Sequence, residues 1–204
     1  MIYILHVFYG MTMAYFGLIS PGMLNMTVLK IRINVGKIES LKFALGAALI
    51  ILFQSGIALF FADFFIKNPK VIEILKTAGI FVFFILAVFF FFLSRKKVGE
   101  NNMISKGNFF IKGLAMSSVN MLAIPFYLGI SIYLGSENKI IIEFPYILFF
   151  ILGATMGSFL LFYTYIFFAK IISKKISFIA TNINIILSLL FLSLGIFTLV
   201  KLIS

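Results

Sequence analysis

The sequence predicts an all-α polytopic membrane protein of six transmembrane helices arranged as a 3+3 inverted repeat, and three observations lead there. The chain is 63 % hydrophobic and 11 % charged with a mean hydropathy of +1.19, whereas soluble domains carry about 25 % charged residues. Six apolar stretches follow one another, each close to the roughly 20 residues that a spanning helix needs. Short motifs also recur in the two halves. Leu24-Asn25-Met26 answers Val119-Asn120-Met121, and Leu45-Gly46-Ala47 answers Leu152-Gly153-Ala154.

The chain is read as one transmembrane domain, 1–204, with helices at about 2–29, 43–63, 73–94, 110–135, 144–169 and 176–202. The first has no basic region ahead of it and no small-residue cleavage site, so it is expected to stay in the mature protein. Asp63 and the Lys67-Asn68-Pro69-Lys70 turn end the second. The third is almost solid Phe, Ile, Leu and Val and stops at Arg95-Lys96-Lys97. Polar residues and Pro125 disturb the fourth, a Gly-x-x-x-Gly runs through the fifth, and the sixth closes the chain. Loops one, three and five, with the helix ends beside them, hold most of the 17 basic residues, Lys30, Arg32, Lys96 and Lys170 among them. Basic flanks are retained on the cytoplasmic side, so both termini are expected outside.

These features exclude several function classes. The formal charge of +11 lies between apolar runs, which makes it a topology signal and gives no nucleic-acid surface. The absence of cysteine excludes disulfides, iron–sulfur clusters and thiol relays. No acid, base or nucleophile constellation stands mid-span, so an enzyme is not expected, and clustered metal ligands are lacking. No cofactor is expected. The expected partners are a small amino-acid-like solute and membrane lipid, with pairing into a homodimer left open.

Two interrupted helices mark where a solute would bind. Ser20, Pro21, Gly22 and Asn25 stand inside the first, and Ser118, Asn120 and Pro125 inside the fourth. Proline removes an amide donor and glycine loosens the backbone, so each helix should kink or break there. Broken helices expose a partly positive N-terminus and a partly negative C-terminus at one depth, which suits a zwitterion. Gln54 in the second helix joins the candidates. For the asparagines and Gln54, an interhelical hydrogen bond or a cap on the break is the competing reading. Gly46, Gly153, Gly157 and Ser158 read as helix-packing positions. His6 and Asp63 are the candidates for proton coupling, with a place in the headgroup region as the blander alternative. Thr164, Tyr163 and Tyr165 are candidates to face a cavity, with the interfacial aromatic belt as the blander reading.

Over essentially its whole length the chain resembles the LysE/RhtB-type family of amino-acid exporters. Ser20-Pro21-Gly22 is similar to the family's Pro-Gly-Pro motif, Asn120 to the asparagine of its helix-four Asn-Pro motif, and Gly153-x-x-x-Gly157-Ser158 to its helix-five glycine pattern. Met23 and Met121 replace the prolines of those motifs, and helix two has Ile50, Ile51 and Gln54 near the place of a common aspartate. The resemblance implies a bacterial inner-membrane exporter of amino acids or related metabolites, driven by the proton-motive force and working by alternating access. A non-transporting membrane subunit or assembly factor is the alternative.

Overall fold

A computed structural model describes residues 2–68, 107–120 and 122–173, together with scattered helical positions within 81–92 and 185–200. The described residues are helical with connecting turns and contain no strand. Six helices run in order: α1 (Ile2–Gly17), α2 (Met23–Asn34), α3 (Lys37–Lys67), α4 (Phe109–Ser118), α5 (Ala123–Ser136) and α6 (Tyr146–Phe167). Apart from the scattered positions, the expected helices at 73–94 and 176–202 lie outside the described residues.

Two of the expected spans are interrupted where the sequence expects a break, and a third has longer bounds. The stretch 2–29 is two helices, α1 and α2, because Pro21 and Gly22 stop the helical ladder. The stretch 110–135 is likewise α4 and α5, bent by 63° at their junction. The helix expected at 43–63 runs from Lys37 to Lys67. A rule that ends a span at the first charge cannot see that a helix continues into the polar zone. For the same reason α2 reaches Asn34 through Lys30 and Arg32. The expected loop from 30 to 42 shrinks to Val35 and Gly36, the latter at φ +147°, a conformation that glycine adopts without strain.

By length and composition α3 and α6 can each cross a membrane, and α4 with α5 would make a third span if the bent pair counts as one. The 22 residues of α6 extend about 33 Å at 1.5 Å each, against a hydrocarbon core of about 30 Å. The 16 residues of α1 reach only about 24 Å.

The chain divides into two compact units, Met1–Ile66 with Ile104–Lys175, and Lys67–Met103 with Ile176–Ser204. In the second, the hydroxyl of Ser188 donates to the Ala87 carbonyl at 2.8 Å, and both residues are buried. The first unit carries all six named helices except the last residue of α3. Within it α1 packs along α6, and α2 packs on α6 and α4.

Glycines decide where these helices cross. A methyl group on Gly46 of α3 would overlap the Phe110 carbonyl of α4, and one on Gly113 of α4 would overlap the Phe43 carbonyl of α3. The α1 and α6 pair repeats the device. Gly10 faces the Phe150 carbonyl, while Gly153 and Gly157 face those of Val7 and Met11. Lipid tails are as apolar as leucine, so backbones brought this close supply the van der Waals contact that holds the bundle. Around the crossings Phe43, Ile51, Leu59, Tyr127 and Phe150 are enclosed, and Phe60, Leu152 and Met156 stay exposed on the outer faces.

Candidate functional site

The chain leaves α1 at Gly17 and resumes helix at Met23. Between them the Gly22 N–H donates to the Ser20 carbonyl at 2.7 Å, a three-residue turn centred on Pro21. The pyrrolidine ring holds φ near the value such a turn needs. Carbonyls at the end of α1 lose their helical donors, and side chains replace them. Asn25, 5 % exposed in the first turn of α2, uses both hydrogens of its amide, donating to the Leu18 and Ser20 carbonyls at 2.7 Å each. The Tyr165 hydroxyl of α6 donates to the Ile19 carbonyl between them at 2.8 Å. At the other end no side chain caps α2, whose N-cap position is the exposed Gly22. Its first-turn amides therefore carry the partial positive charge of a helix N-terminus.

The second break lies between Ser118 and Ala123. Gln54, midway along α3 and 6 % exposed, donates from Nε2 to the carbonyls of Ser117 and Asn120 at 2.9 and 3.3 Å. The hydroxyl of the fully buried Ser117 donates back to the Ala47 carbonyl of α3 at 3.0 Å, next to the Gly46 crossing. Two polar groups remain idle here among the described residues. The Oε1 of Gln54 is enclosed without a hydrogen bond, and the carboxamide of half-buried Asn120 makes none. Pro125 is exposed in the first turn of α5, where a missing amide costs no helical bond.

The two breaks meet at one point. A methyl group on Gly17, the last residue of α1, would strike the ring of Phe126, which follows Pro125. Of the candidate residues, Gln54 and Asn120 are joined directly, and Asn25 serves its own break with Ser20. Ser118 is exposed and its hydroxyl turns back to the Leu114 carbonyl of its own helix at 2.9 Å, so the serine that points inward is Ser117.

His6 is 1 % exposed, enclosed by the protein. The Ile141 N–H reaches its Nε2 at 2.8 Å and its Nδ1 lies 2.8 Å from the Ile2 carbonyl. A backbone N–H can only donate, so Nε2 is the acceptor of the Ile141 bond. Asp63 is half-buried towards the end of α3. No group of three His, Cys, Asp or Glu residues among those described is placed to hold a metal.

Two tyrosines escape a reading by composition. Tyr163 and Tyr165 stand two positions apart on a helix, about 200° around its axis, so one belt cannot hold both. Tyr163 is exposed and Tyr165 is buried at the break. Tyr127, fully enclosed in α5, pairs its hydroxyl with that of Ser158 at 3.1 Å. That bond gives Ser158 a polar role beside its packing one.

A family model for LysE type translocators matches residues 15–202. Comparison with curated proteins and with solved structures found no match.

Proposed function

The chain belongs to the LysE type translocator family, and from that premise we propose that it exports amino acids or related small zwitterionic metabolites as a secondary transporter. The membrane would be a bacterial inner membrane, with both termini outside. Transport would run by alternating access, with two inverted halves rocking about the breaks at Pro21-Gly22 and at Asn120 to Pro125. The paired glycine crossings, α1 on α6 and α4 on α3, fit such a repeat.

The observation that carries the reading is the chemistry left over at the breaks. The substrate carboxylate would meet the uncapped amides of α2. Its ammonium would meet the idle Oε1 of Gln54 and the carboxamide of Asn120. A buried acceptor without a partner is uncommon and calls for an occupant. A zwitterion supplies one without any buried ionised side chain.

Counterflow of labelled amino acids into liposomes holding the purified protein tests this. Pro21→Ala and Asn120→Ala should abolish uptake while membrane insertion is retained. Normal exchange by both variants would remove the site, and exchange of no amino acid by the native chain would favour the subunit reading. The orientation is tested by single cysteines near Lys96, which an impermeant outside reagent should fail to label; labelling from outside reverses it.

A further inference from the structure

We propose that the pocket between the C-terminal ends of α2 and α6 holds the phosphodiester headgroup of an anionic phospholipid. The cavity measures about 440 Å³ and is lined by Arg32 and Ile33 at the end of α2 and by residues 166–171 at and just past the end of α6, Lys170 included. Arg32 is half-buried, with its Nε enclosed and unbonded. Its guanidinium makes no hydrogen bond or ion pair with a described residue.

A cation in the last turn of a helix ordinarily answers that helix's terminal carbonyls. Backbone amides already answer part of that set here. The Ile31 carbonyl accepts from the N–H groups of Val35 and Gly36 at 2.9 and 3.0 Å. The Thr164 carbonyl accepts from Phe168 at 3.0 Å, and that of Phe168 accepts from Ile171 and Ile172 at 3.0 and 2.9 Å. Arg32 is thus left with five N–H donors, no acceptor of its own, and an enclosed Nε that water cannot reach. A ligand bearing paired anionic oxygens matches the planar fork, and Lys170 adds a second positive charge.

The walls choose between a lipid and a free anion. Ile33, Phe167 and Ile171 are 51, 66 and 55 % exposed, giving the charged pocket an apolar margin. Acyl chains gain by lying against that margin, and inorganic phosphate gains nothing from it. Arg32 and Lys170 also belong to the basic group that the charge distribution assigns to the cytoplasmic face, where anionic lipid is concentrated.

The test uses the full chain in neutral detergent, titrated with phosphatidylglycerol, phosphatidylcholine or inorganic phosphate, with bound lipid counted by native mass spectrometry. Phosphatidylglycerol should be retained in preference to phosphatidylcholine. Arg32→Gln should weaken that retention about tenfold, as one lost charge-assisted contact does. Arg32→Lys should recover part of it. Lys170→Gln, at an exposed position, should lower retention about threefold and provides an independent reading if Arg32→Gln misfolds. Equal retention of phosphatidylglycerol by the folded variants and the native chain overturns the proposal. Displacement of the bound lipid by millimolar inorganic phosphate also overturns it, in favour of a free-anion site.

Discussion

The two interrupted helices solve the same problem by different means. At the first break, the freed carbonyls of Leu18 and Ser20 are answered from within the same stretch of chain by Asn25, with Tyr165 adding one bond from α6. At the second, the carbonyls of Ser117 and Asn120 accept local backbone N–H groups, from Asn120 and Ala123, and each takes a further donor from Gln54 of α3. The first break is answered largely from its own stretch of chain, while the second adds two bonds from α3 to its local ones. Their leftover groups differ too. Among the described residues, the first keeps uncapped helix-start amides, and the second keeps an unbonded amide oxygen and a carboxamide without a hydrogen bond. One presents donors, and the other adds acceptors.

Substitutions can break this contrast. Gln54→Leu should have the largest effect, because it removes two interhelical hydrogen bonds at once and leaves the carbonyls only their local backbone donors. The expected loss is about 2 kcal/mol, read by unfolding in mixed detergent micelles, together with loss of counterflow. Asn25→Ala should cost less, about 1 kcal/mol, since Ser20 is exposed and solvent can replace the missing donor. If Asn25→Ala destabilises the chain more than Gln54→Leu, the first break is the more dependent one and the contrast is inverted. Tyr165→Phe removes a single bond and keeps the ring, so a loss of about 0.6 kcal/mol is expected. Its counterflow should persist at a reduced rate, and full loss would make the hydroxyl part of the substrate site.

How much of this could be read from residues alone follows from the physics of each signal. Pro21-Gly22 announces an interruption because the missing amide and missing Cβ act locally, and α1 and α2 part there. Gly46 and Gly153 read as packing positions because close approach in lipid needs small residues, and both lie at helix crossings. Partners far apart in sequence are invisible to such reasoning. Nothing local couples Tyr165 to Ile19, 146 positions away, or distinguishes Ser117 from Ser118 before the helix face is known. Charge misled at the other boundary, since Lys30 and Arg32 sit inside α2 where a loop is expected.

His6 carries a consequence of its own. Its ring is a staple, one nitrogen fixed to the first turn of α1 and the other gripping the backbone at Ile141, 135 residues later. The clasp joins the start of α1 to the segment that leads into α6, the same two helices whose glycines cross, so a single ring fastens the open end of that crossing.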